Sequence, residues 1–169
     1  MDFSSLSFEE LQNIDMDAAL AMNPGDVETS NNTPEMTAIW AGSGVQMKAV
    51  ERDGNPNMLR CEIEFTAREI LAVGNPNTDP ASLIGKKHTE SFDVTTDMGL
   101  GMLVGLMCRI AGVDADDKEA RGNLGGTVSE VVKELSSGKF AFKAKVAHRE
   151  SKGKVYSGFT MKAADFAPA

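Results

Sequence analysis

The chain has 169 residues, enough for one domain with a tail, and its 41% hydrophobic and 25% charged composition is that of a globular protein, not a fibrous one. The longest apolar run, Met98 to Met107, falls short of a bilayer span, and acids stand where a secretory leader would carry bases. The expectation is a cytoplasmic protein with no membrane contact, and its net charge of −8 excludes a polyanionic partner only until it is mapped: residues 1–45 hold eight acids and no base, leaving 17 of each sign in residues 46–169.

Residues 1–33 read as an acidic, flexible arm. Ser7 with Glu10 fits a capping box, and Phe8, Leu11 and Ile14 give a weak apolar stripe before Asn23-Pro24-Gly25 and the run Ser30 to Pro34 break the pattern. Such an arm solubilises the chain, covers a cationic face, or docks on another copy or a partner. A folded domain follows over residues 34–166. Strand signals at Met36 to Trp40 and Val45 to Arg52 flank Ala-Gly-Ser-Gly, which suggests a bulge or sharp bend in a long first strand. Asp53 to Pro56 is a turn, and from Leu59 to Ile70 apolar residues alternate with Arg60, Glu62 and Glu64. After a loop over Gly74 to Pro80, a third strand is expected from His88 to Val94.

The period then changes. Met98, Met102, Leu106 and Ile110, with Leu103 and Met107, recur at helical spacing, with Thr95, Thr96 or Asp97 to cap the helix and Gly112 to end it. Gly101 and Gly105 are expected to let another backbone approach closely. Asp114 to Gly126 reads as an acidic connector. Thr127 to Ser137 reads as a short helix turning Val128, Val131, Val132 and Leu135 inward. Lys139 to Lys162 then alternates as a hairpin about a turn at Glu150 to Gly153, and Ala163 to Ala169 trails off.

In that hairpin Phe140, Phe142, Ala144, Val146, Val155, Phe159 and Met161 fall on the inner side. Lys139, Lys143, Lys145, Arg149, Lys154, Tyr156, Thr160 and Lys162 fall on the outer side, and Lys152 lies in the turn. Any wet hairpin face needs polar residues, and lysine there also discourages edge pairing. The bias to one sign is what departs from an ordinary solvated face.

Other chemistry lacks a seat. Cys61, His88, Cys108 and His148 make no metal-ligand spacing, and both cysteines sit in apolar patterns that suit buried, reduced thiols. Asp114, Asp116, Asp117 and Glu119 lack the sixth-position glycine and twelfth-position glutamate of an EF-hand. Gly99-Leu100-Gly101 has no Gly-Lys-Ser/Thr ending for a phosphate loop. The chain therefore reads as a binding protein, not an enzyme, with no metal and no cofactor.

Single-stranded DNA asks for a cationic track and a few stacking faces. Lys139, Lys143, Lys145, Arg149, Lys152, Lys154 and Lys162 are the candidates for phosphate, Tyr156 for stacking, and Trp40 and Lys48 are weaker additions. The order of three strands, a core helix, a short additional helix and two strands is that of a five-stranded oligonucleotide/oligosaccharide-binding barrel, the OB-fold, mainly β with α.

That arrangement resembles the phage-encoded single-stranded DNA-binding proteins of OB-fold type. The likeness rests on Asp79-Pro80-Ala81-Ser82-Leu83-Ile84-Gly85-Lys86-Lys87 before a strand, the apolar helix Gly101 to Gly112, Leu135-Ser136-Ser137-Gly138-Lys139 before Phe140 to Arg149, and Val155-Tyr156-Ser157-Gly158-Phe159. It covers Thr37 to Lys162, and the order of the motifs carries it. It implies largely sequence-independent binding in phage DNA replication or recombination, in the host cytoplasm, with replication or recombination proteins and further copies of the chain as partners. Many such proteins end in an acidic tail. Here the C-terminus, Asp165-Phe166-Ala167-Pro168-Ala169, has one acid, and the acidic segment is at the other end. The alternative expectation is a virion structural or decoration protein laced together by its arm, and a weaker one is an inhibitor of a host nucleic-acid enzyme.

Overall fold

A computed structural model describes residues 6–21 and 32–169, and the chain divides into two units, Met1–Asn31 and Asn32–Ala169. In the first, α1 (Phe8–Gln12) carries the expected capping box: Ser7 Oγ accepts from the Glu10 N–H, and Glu10 Oε2 accepts from the Ser7 N–H. Phe8 and Leu11 are exposed on it, and α2 (Met16–Ala19) follows. The break expected between Asn23 and Asn31 lies outside the described residues.

The second unit is mainly β with helices. Its strands are β1 (Met36–Val50), β2 (Met58–Val73), β3 (Lys87–Asp93), β4 (Ala141–Ser151), β5 (Lys154–Phe159) and β6 (Ala167–Pro168). They form one antiparallel sheet in the order β3-β2-β1-β4-β5, with β6 on β4. The sheet is open. The expected closed five-stranded barrel is corrected on that point, because no backbone ladder joins β3 to β5 among the described residues.

Side chains span that gap instead. Glu90 of β3 accepts the Phe159 N–H of β5 at 2.5 Å and takes His88 Nε2 at 2.8 Å. Thr33, expected in the arm, belongs to the fold: its N–H donates to Ser157 Oγ, its hydroxyl lies 2.8 Å from His88 Nδ1, and its carbonyl accepts His148 Nε2 at 2.7 Å. Asn32 Nδ2 donates to the Val155 carbonyl. Thr33 and His88 are thus buried polar residues whose hydrogen bonds are made, which is the condition for keeping them in a core.

The core lies between the inner side of the sheet and two helices, α3 (Asp97–Ala111) and α5 (Val128–Ser136). Trp40, Ile63, Phe65, Phe142, Ala144 and Val146 come from the strands, and Leu103, Leu106, Val132 and Leu135 from the helices. Each large side chain contributes roughly 1.5–3 kcal/mol on leaving water. Phe159 makes ring contacts with Trp40, Phe65, His88, Phe142 and Phe166 at centroid distances of 4.7–6.0 Å, so the last residue of β5 locks the two halves together.

Thr96 caps α3 and Gly112, at φ 70°, ends it, as the sequence suggests. The buried face is Gly99, Leu103, Leu106, Met107 and Ile110, whereas Met98 and Met102 stand in solvent. The close backbone approach is at Gly99, where a Cβ would lie 1.8 Å from the Asp93 carbonyl; Gly101 faces open space. The expected connector contains a short helix, α4 (Lys118–Gly122), capped by Asp117. The C-terminus does not trail off: Phe166 is buried and Ala167 pairs with Lys143. Cys61 and Cys108 are free and buried, and loss of hydration first of all pushes both thiols above their ordinary range.

The β4–β5 turn is tight, with Lys152 at φ 52° and Gly153 at φ 75°. Positive φ at both central residues suits Asn-Gly far better than Lys-Gly. Lys152→Asn is therefore expected to raise stability by roughly 0.5–1 kcal/mol, read as a shifted urea midpoint at unchanged slope.

Candidate nucleic-acid interface

The register of β4 fixes the candidate face. Phe142, Ala144 and Val146 are buried, so the intervening Lys143, Lys145, Ala147 and Arg149 project to the outer side. On β5, Tyr156 lies opposite Arg149, Gly158 opposite Ala147, and Lys154 opposite Ser151. Five of the sequence candidates thus share one outer face: Lys143, Lys145, Arg149, Lys154 and Tyr156. Lys143 to Arg149 spans about 20 Å, with Lys143 and Lys145 about 6.6 Å apart along the strand. Glu150 takes the opposite parity, which keeps its charge off this face. Among the described residues, none of Lys139, Lys143, Lys145, Arg149, Lys152, Lys154 and Lys162 makes a salt bridge.

Three cations extend the group beyond the ladder. Lys152 occupies the turn. Lys139 stands in the α5–β4 connection, beside the Gly138 carbonyl that accepts from Arg68 Nη2. Arg68 is exposed, and the sequence reading missed it because nothing in the local pattern of β2 ties it to β4. Lys162 follows Met161, a non-glycine residue at φ 58°, whose carbonyl accepts from Arg109 Nε of α3. That bond holds a backbone conformation most side chains avoid, and so fixes where Lys162 begins.

Two candidates are not brought into the group. Trp40 is 0% exposed, with its Nε1 donating to the Ala144 carbonyl at 3.2 Å, so it is a core residue with no face to offer a base. Lys48 is exposed but lies seven residues beyond Ala41, where β4 pairing ends, roughly 23 Å along β1. Phe140 and Val155, expected inside, are about half exposed because Phe140 precedes the strand and Val155 lies past the end of the core.

The rest of the outer sheet mixes charges, with Lys48, Arg60 and Lys87 among Glu62, Glu64 and Asp93. Glu62 and Glu64 line a shallow depression of about 270 Å³ with Gly44, Gln46 and Thr89. Lys87 at 2.8 Å, and then the Ser43 hydroxyl, hold the Glu64 carboxyl below its usual range, so Glu64 stays ionised and paired with Lys87. Glu69 lies across Ile39 from Lys143, and the Glu35 carboxylate accepts the His148 N–H. On β4 and β5, by contrast, the outer face carries cations and no carboxylate. A groove of about 750 Å³ between α3, α5 and Phe140 is mostly apolar with Glu130 and Glu134 among its lining residues, so it offers no anion site.

Among the described residues no three metal-ligating side chains converge, and no helix is long and apolar enough to cross a membrane. Compared with protein-family models, curated proteins and solved structures, the chain matches none.

Proposed function

We propose that the chain binds single-stranded DNA along the outer face of β4 and β5, non-catalytically and with little choice of sequence. The observation that carries this reading is the row Lys143, Lys145 and Arg149, with Tyr156 beside Arg149, on a face whose opposite side is core. A flexible strand lays phosphates against the cations, releases counterions, and stacks bases on the tyrosine ring. In duplex the bases are already paired and stacked on one another, so the tyrosine ring gains no base to stack on.

The strand order β3-β2-β1-β4-β5 supports an OB-fold opened between its first and last members. In that fold the face over strands 2 and 3 is a common binding surface; here Glu62, Glu64 and Asp93 share it with Arg60 and Lys87, whereas the outer face of β4 and β5 carries cations alone, which favours the track there. The resemblance to phage single-stranded DNA-binding proteins makes replication or recombination in the host cytoplasm the proposed setting, with the acidic arm as the segment for protein partners. A second reading, a virion decoration protein, draws on Phe8, Leu11 and Met16, which are exposed on the arm's short helices and suit docking against another copy.

Titrating a labelled oligonucleotide at two salt concentrations tests the first reading. Binding is expected at low salt, falling steeply as salt rises, and much weaker for duplex of equal length. No binding at low salt, or equal affinity for duplex, ends it; stoichiometric recovery from purified particles favours the second.

A further inference from the structure

We propose that the open seam between β3 and β5 is a pocket for one nucleobase carrying an exocyclic amino group, fed by the strand whose phosphates lie along β4. The inference rests on the single-strand reading above and adds a base preference to it.

The seam holds a crevice of about 470 Å³, within the range of small-ligand clefts. Glu90, Phe92 and Met102 form one wall, and Arg149, Phe159 and Lys162 belong to the other. Ala147 and Gly158, two small residues of the outer face, lie opposite each other across the ladder at its side. A Cβ built on Gly158 would meet only Glu90 Oε1, at 3.7 Å. The cationic face therefore has a hollow in it, with Arg149 and Tyr156 on one side and Lys145 and Thr160 on the other.

The charges are layered. Arg149 and Lys162 are exposed, while Glu90 sits deeper, its side chain 15% exposed. Both bonds that Glu90 takes, from His88 and from the Phe159 N–H, end on Oε1; among the described residues Oε2 accepts none. An anion held by the cations is repelled from the depth of the crevice. A neutral ring with an N–H donor suits both zones: its phosphate stays outside and its amino group reaches a carboxylate that His88 and β5 hold in place. Phe92, Phe159, Met102 and Met161 supply apolar and soft sulfur surface for the ring. Cytosine presents an amino group beside ring acceptors, whereas thymine flanks its single ring N–H with two carbonyls that oppose the carboxylate.

Anisotropy titrations with labelled oligo-dC and oligo-dT of equal length, at one salt concentration, test the pocket. About tenfold tighter binding of dC is expected, as one hydrogen bond to a charged group supports. Ala147→Met, which fills the hollow from the outer side, and Glu90→Gln, which keeps an oxygen for the Phe159 N–H but removes the charge, are both expected to level the preference. Thermal melts identify any variant that fails to fold. Equal affinity of the wild type for dC and dT, or a preference that survives in a folded Ala147→Met protein, overturns the pocket and leaves single-strand binding standing. If neither oligonucleotide binds at low salt, the single-strand reading falls and the pocket with it.

Discussion

Reversing Lys143 and Lys145 to glutamate is expected to weaken binding of a labelled single strand roughly a hundredfold or more at low salt, without unfolding the protein. Each phosphate contact contributes about 0.7 to the slope of log affinity against log salt for single strands, so losing two flattens that slope by about 1.4. The reversed side chains also repel phosphate, adding to Glu35 and Glu69, which already border the strip. Folding is spared because both side chains point away from Phe142, Ala144 and Val146, which keep the core contacts of β4. Lys48→Glu is the control, to be set against each single reversal as well as the pair. It makes the charge change of one reversal on the same sheet, far from β4 pairing, and should cost little. If both variants weaken binding equally, or neither does, β4 is not the track.

The sequence made this face legible because a strand has period two: once Phe142, Ala144 and Val146 are inside, Lys143 and Lys145 have no other side to take. The same parity reads Trp40 as buried through its neighbours Met36 and Ala38, a signal stronger than the chemical appeal of a lone indole. Barrel closure was not legible. Closure depends on backbone pairing between β3 and β5, segments about 65 residues apart, and alternation within either strand says nothing about its partner. What spans the seam is a pair of side chains, Glu90 and Thr33, one of them in a segment whose composition reads as arm. Helix α3 was legible only in part for a related reason. Apolar residues surround most of it, so its period does not say which glycine meets another backbone: Gly105 is buried as Gly99 is, but it is Gly99 that faces the Asp93 carbonyl.

A single methyl group at Gly42 is expected to destabilise the protein by roughly 3–5 kcal/mol, the largest effect of any conservative change on the sheet. A Cβ there would lie 1.8 Å from the Leu135 carbonyl oxygen and 2.7 Å from Ser136 Cα, both backbone atoms at the end of α5, which cannot rotate aside as a side chain would. Relief requires moving α5 off β1. Val131, Val132 and Leu135 would then leave the core together, and Phe142 loses its cover with them. The sequence marked this region as a bend, and the register of β1 against β2 does shift between Gly42 and Gly44. The two glycines nevertheless differ. Around Gly44 nothing lies within 4 Å of a built Cβ, so Gly44→Ala should melt within about 1 kcal/mol of the wild type. Urea unfolding of the two alanine variants separates a bend that needs backbone freedom from a contact that needs an absent side chain. Equal losses at both positions would mean that the turn of the strand, and not the seating of α5 against it, is what these glycines serve.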